Sequence, residues 1–191
     1  MKKMLAGIAA FSTAIALLSQ PVNAQSGRSS GVGSLATQTC RTIEGNGGIR
    51  AINETIPAGR NMLTAVSILG VVRGNAESLF DTGNERIRTG HPLEVVCSLA
   101  GAGEAPMYRT LTLAFGYRSD GQAMNNSTRV RLSIFLDGNL RESQTILPGD
   151  HFYMPLDITN KRSVSLRADC YGPQNHTWCP NIYFSQDTLE R

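Results

Sequence analysis

Between Thr128 and Asp169, apolar and polar residues alternate with a period of two in three successive runs. Val130, Leu132, Ile134 and Leu136 share one face against Arg129, Arg131 and Ser133. Phe152, Met154, Leu156 and Ile158 form the second apolar face. Val164, Leu166 and Ala168 form the third, opposite Ser163, Ser165, Arg167 and Asp169. Successive side chains point to opposite sides of a strand, so this pattern predicts antiparallel strands with one face on a core and one in water. Asp137-Gly138 sits between two of these runs and supplies the positive φ values of a two-residue type I′ hairpin.

The same reading extended along the chain predicts strands at 62–73, 93–99, 107–117, 128–136, 140–147, 152–158, 163–170 and 181–185. The first lacks clean alternation and is equally compatible with a helix. Turn signals separate the others: Gly101-Ala-Gly103, Asp120-Gly121, Asn125-Asn126, Pro148-Gly149 and Gly172-Pro173. Short strands at this spacing, with little helical periodicity and no internal repeat, predict an all-β chain folded as an antiparallel β-sandwich.

The N-terminus carries an address. Lys2 and Lys3 precede an uncharged apolar run, Met4 to Leu18, that closes on Pro21-Val-Asn-Ala24. A positive start, an apolar stretch and small residues at Val22 and Ala24 predict a signal peptide over 1–24, cleaved after Ala24. The run falls short of the roughly 20 residues that span a bilayer. The expected location is secreted or periplasmic, with no transmembrane segment after cleavage. Residues 25–39 are rich in Ser and Gly and read as a flexible tether. Residues 40–191 then form a single domain. Removing Lys2 and Lys3 lowers the basic count from 18 to 16 against 15 acidic residues, a net charge of +1. The cations are scattered rather than clustered, which gives no support to nucleic-acid binding.

All four cysteines, Cys40, Cys97, Cys170 and Cys179, follow the predicted cleavage point. An even number in an oxidising compartment predicts two disulfides, and three pairings are possible. Cys170–Cys179 is the natural local one, closing a loop from Tyr171 to Trp178, and Cys40–Cys97 would then tie the tether to the body. A zinc site from Asp169, Cys170, His176 and Cys179 is the weaker alternative, because no paired C-x-x-C element supports it. No cofactor and no metal is expected.

Catalytic signatures are absent from the sequence: there is no G-x-S-x-G elbow, H-E-x-x-H, phosphate loop or G-x-G-x-x-G. His91, His151 and His176 lie beside turn residues. Asp120, Asp137, Asp150, Asp157 and Asp169 could pair for glycoside hydrolysis, but strand-end turns account for aspartate equally well. The expectation is a non-enzyme. The richest binding chemistry lies in the loop after Cys170, where Trp178, the only tryptophan, joins Tyr171, Asn175 and His176. An aromatic face with amide and imidazole donors suits a sugar ring. Packing of Trp178 over the neighbouring disulfide is the alternative role. Asn125, Asn126 and Asp120 form a second polar loop. Asn53, Asn126 and Asn175 open glycosylation sequons.

The runs Val130-Arg-Leu-Ser-Ile-Phe-Leu-Asp-Gly-Asn-Leu-Arg-Glu-Ser143, Pro155-Leu-Asp-Ile-Thr159, Ser163-Val-Ser-Leu-Arg-Ala-Asp169 and Asn181-Ile-Tyr-Phe184 together resemble the NPCBM-type carbohydrate-binding modules, which are galactose-binding-like jelly rolls. The resemblance covers about 111–184, while 41–103 departs from the family pattern. It implies a jelly roll that binds a polysaccharide or glycan, with Trp178 in the place of the tryptophan that often precedes the last strand. The alternative is a cell-surface structural or protein-interaction module using the same sandwich without a sugar site.

Overall fold

A computed structural model describes residues 32–45, 47–58, 61–70, 92–117, 128–171 and 180–191. The described chain is all-β. Its strands are β1 (Val32–Ser34), β2 (Cys40–Glu44), β3 (Gly48–Ala58), β4 (Asn61–Gly70), β5 (Leu93–Ser98), β6 (Thr110–Gly116), β7 (Arg129–Leu136), β8 (Asn139–Ile146), β9 (His151–Asp157), β10 (Ser163–Tyr171) and β11 (Ile182–Glu190), with one 3₁₀ turn at Leu35–Thr37. No described helix is long and apolar enough to cross a membrane.

Two antiparallel sheets face each other. One runs β3-β4-β11-β6-β9 with β1 added beside β11, and the other runs β2-β5-β10-β7-β8. The alternation that predicted β7 and β10 is realised in register, with Leu166 opposite Ile134 and Ala168 opposite Leu132. Their apolar faces meet Leu111, Leu113, Phe115, Phe184 and Leu189 of the other sheet in one core. Phe115 lies at its centre, 5.8 Å from the Phe152 ring and 5.9 Å from the Phe184 ring. Asp137 and Gly138 adopt φ values of 49° and 79°, as the hairpin requires. Segment 62–73, open between helix and strand in the sequence, is strand β4 as far as Gly70.

The tether expectation is corrected for residues 32–39. Val32, Gly33 and Ser34 pair with Glu190, Leu189 and Thr188 of the last strand. Leu35 is fully buried in the core. The Ser34 hydroxyl and the Ala36 amide both donate to the buried Asp187 carboxylate, at 2.8 and 3.1 Å. A composition suited to flexibility is overridden by backbone pairing and by one anchored leucine. Strands β2 and β3, not expected from the sequence, complete the edges of the two sheets.

Cys40 and Cys97 form the expected disulfide across the β2–β5 pair, where they face each other in register. Cys170 is buried near the end of β10, whereas Cys179 lies outside the described residues. Cys40–Cys97 is thus the disulfide in place between described residues, and the second expected pairing involves a residue outside them.

Candidate functional site

The period of two places Ser165, Arg167, Asp169 and Tyr171 on the outer face of β10, where neighbouring strands supply their partners. Arg167 reaches Glu44 of β2 at 3.3 Å, Glu94 of β5 at 3.5 Å and Asp169 at 3.4 Å. Partial burial disfavours its charge, but the carboxylates of Asp169, Glu44 and Glu94 outweigh this and hold the guanidinium above its ordinary pKa. The Ser165 hydroxyl donates to Glu94 at 2.7 Å. Arg131 of β7 pairs with Asp169 at 3.4 Å, and its guanidinium lies 5.2 Å from the centre of the Tyr171 ring. The outer face of this sheet is thus a charge network that ends on a half-exposed tyrosine.

Of the residues expected to contact a ligand, Tyr171 is described and 46% exposed. Asn175, His176 and Trp178 lie outside the described residues, as do Asp120, Asn125, Asn126 and His91. The structure brings Tyr171 together with Arg131, which sequence reasoning did not single out. The signal was present in the alternation, because Arg131 faces Asp169 and Arg129 faces Tyr171 across the β7–β10 pair. One face of the Tyr171 ring is covered by this guanidinium in a cation–π contact.

The described aspartates considered for acid–base work, Asp137, Asp150, Asp157 and Asp169, each have a structural partner. Asp137 Oδ1 accepts from the Arg162 and Ser163 amides, both at 2.9 Å. Asp150 Oδ2 accepts from the Leu147 amide at 3.0 Å. Asp157 Oδ1 accepts from the Thr159 amide at 2.9 Å. These are the turn roles that aspartate fills at strand ends. His151 Nε2 lies 2.9 Å from the Ser185 hydroxyl, which also reaches the Ala114 carbonyl at 3.3 Å. Among the described residues no carboxylate orients that imidazole, as a nucleophile–base pair would need. No group of three His, Cys, Asp or Glu residues suited to a metal ion occurs among the described residues.

A second feature lies away from Tyr171. The start of β8 and the turn between β9 and β10 border an open groove of about 390 Å³ lined by Asn139, Leu140, Arg141, Asp157, Thr159 and Lys161 over a floor that includes Leu136.

No protein-family profile and no curated protein matches this chain. Solved structures do. The chain is similar to the structure of CBM51 from Clostridium perfringens GH95 in complex with methyl-galactose, with a TM-score of 0.55, 12% identity and coverage of 83% of this chain and 99% of that one. It is also similar to CBM51-2 in complex with GlcNAc and INT domains from Clostridium perfringens ZmpB, with a TM-score of 0.55, 14% identity and coverage of 83% of this chain and 31% of that one. The chain therefore spans nearly all of the first structure and about a third of the second. At this identity the likeness is one of fold alone, a sandwich of two antiparallel sheets.

Proposed function

We propose that this chain is an exported, non-catalytic carbohydrate-binding module of the NPCBM type. The observation that carries the reading is the fold shared over 99% of a CBM51 structure that holds methyl-galactose. The predicted leader at 1–24 and the Cys40–Cys97 bridge support export.

The ligand surface in this reading is the loop from Cys170 to Cys179, closed by a second disulfide between them. Trp178 stacks on the apolar face of a sugar ring, Asn175 and His176 donate to hydroxyls, and Tyr171 extends the surface at the root of the loop. Two observations support this choice. Cys170 is buried, which gives the loop a fixed base, and Tyr171 is exposed beside it. Galactosides and N-acetylglucosamine are the first ligands to try, being those held by the similar structures. An open, wet single site implies a Kd of roughly 10⁻³ to 10⁻⁵ M, or about −4 to −7 kcal/mol.

Titration calorimetry of the mature protein with methyl-galactoside and N-acetylglucosamine, backed by a glycan array, tests the reading. Trp178→Ala, shown by circular dichroism to remain folded, is expected to lose most of the binding. A folded variant that binds as the parent does would move the site elsewhere. A parent that binds no glycan would leave the structural or protein-interaction module as the better description. Mass mapping of the non-reduced protein checks the Cys170–Cys179 bridge and the cleavage after Ala24 together.

A further inference from the structure

In the groove between β8 and the β9–β10 turn, cations outnumber carboxylates. On the outer face of the β2-β5-β10-β7-β8 sheet, Arg131 and Arg167 are both matched by carboxylates. In the groove, Arg141 and Lys161 stand against Asp157 alone. Neither cation forms an ion pair among the described residues. Asp157 is already engaged by its own turn: hydrogen bonds from the Thr159 side chain and amide come first in holding its carboxyl below the ordinary range, and the charges of Arg141 and Lys161 add to them. The groove therefore offers two cations within electrostatic reach of a single, spoken-for carboxylate.

Its walls are held in place by one residue. Asp137 in the β7–β8 hairpin accepts from the Arg162 and Ser163 amides, which begin where the β9–β10 turn ends. The Asn139 side-chain Nδ2 donates back to the Asp137 carbonyl at 3.2 Å. Hairpin and turn are thus fastened to each other, and the side chains they present need little rearrangement before binding.

Beside the cations stands Leu140, 61% exposed, with the amide of Asn139 and the hydroxyl of Thr159 nearby. A bare inorganic anion has no use for the leucine. A neutral sugar can accept hydrogen bonds from both cations but leaves their charge unbalanced. A ring with an apolar C–H face, hydroxyls and a negative substituent uses all three.

We propose that this groove is a saccharide site separate from the Cys170–Cys179 loop, and that it takes a sugar carrying an anionic group. The carboxylate or sulfate lies against Arg141 and Lys161, the ring face lies on Leu140, and Asn139 and Thr159 meet hydroxyls. The proposal shares with the preceding section the premise that the ligand is a saccharide, and its test lets the two sites fail separately.

The test is calorimetry of the mature protein with trigalacturonate, with neutral galactotriose and with a sulfated galactotriose. Trigalacturonate is expected to bind with a Kd of about 10⁻³ to 10⁻⁴ M and galactotriose to leave the groove unaffected. Arg141→Ala and Lys161→Ala, both surface changes, should each weaken trigalacturonate about fivefold or more, and the double variant should abolish binding. Raising salt from roughly 50 to 500 mM should weaken it too. Equal binding of the sulfated sugar assigns recognition to charge alone, whereas preference for the carboxylate assigns a paired seat on the Arg141 guanidinium. Trp178→Ala should leave trigalacturonate binding intact even where it removes neutral-sugar binding. Absence of saturable trigalacturonate binding, or binding that survives in a folded Arg141→Ala/Lys161→Ala variant, overturns the proposal.

Discussion

The Asp187 carboxylate accepts a hydrogen bond from the Ser34 hydroxyl at 2.8 Å, across a separation of 153 residues. The same oxygen takes the Ala36 amide at 3.1 Å, and Asp187 is only 4% exposed. This carboxylate fastens Ser34 and the turn that follows it to the last strand.

Asp187→Ala should therefore destabilise the protein by about 1–2 kcal/mol, because the part-buried Ser34 hydroxyl loses its acceptor and the Ala36 amide keeps only the Ser34 oxygen. Ser34→Ala should cost about 1 kcal/mol. Urea unfolding followed by tryptophan fluorescence measures both. An Asp187→Ala variant with the parent's midpoint would show that the Ser34 and Ala36 bonds to Asp187 contribute nothing to stability.

At the β7–β8 hairpin, Gly138 has a φ of 79° and open space where a Cβ would stand. The cost of Gly138→Ala is then purely one of backbone conformation, about 1 kcal/mol, rising to about 1–2 kcal/mol for valine. Thermal unfolding of the two variants should rank them in that order. Parental melting of both would place the turn's strain elsewhere.

Ser67 points into the core, fully buried, and its hydroxyl has no hydrogen-bond partner among the described residues. Removing an unsatisfied buried hydroxyl relieves a desolvation penalty, so Ser67→Ala should leave stability unchanged or raise it by up to about 1 kcal/mol. A loss above about 1 kcal/mol would reveal a partner for that hydroxyl.

The Tyr117 phenol is buried and donates to the Thr128 carbonyl at 2.9 Å. Burial first, and the charge of Asp150 second, push its pKa far above the ordinary value. A raised folded pKa contributes stability that is fully present below the unfolded pKa of about 10 and is lost as pH rises beyond it. Stability should fall above about pH 10, and Tyr117→Phe should flatten that alkaline limb while costing about 1 kcal/mol at neutral pH. An alkaline limb unchanged in the variant would assign it to other groups.

Reducing the Cys40–Cys97 bridge, which spans 57 residues, should cost about 4 kcal/mol in the chain-entropy description. The double variant Cys40→Ala/Cys97→Ala, compared with the parent by denaturant unfolding, checks this figure without touching Cys170.

The strands most legible in the sequence are those with one wet face and one dry face, β7, β9 and β10. Strand β4 was ambiguous because Ile68 and Leu69 are both buried although they point to opposite sides, which erases the period. Strand β2 is nearly all exposed and offers too few apolar residues to register as a strand. In β3 a register shift between Ala51 and Glu54 breaks the alternation halfway along. The order of residues 32–38 depends on Asp187 and Glu190, partners far beyond any local window. The groove was hidden for the same reason: Arg141 lies on β8, Asp157 ends β9 and Lys161 lies in the turn that follows, and only the fold brings β8 beside them. Tyr171 was legible as an aromatic of the loop after Cys170, whereas its place at the end of β10 and its stacking on Arg131 required the register of β10 on β7.

The pairing of β1 with β11 also decides how this sandwich answers tension. Val32 lies opposite Glu190 and Ser34 opposite Thr188, so the outermost residues of the first and last strands meet at the same corner. Force applied through those two strands pulls them apart sideways, and their hydrogen bonds open one after another rather than sharing the load. The seam peels like a zipper, with the Ser34–Asp187 bond as its last fastener before Leu35 is drawn from the core. Under strain the protein would shed its first strand early and at low force, while the β7–β10 pair, which lies in the other sheet, keeps its shape.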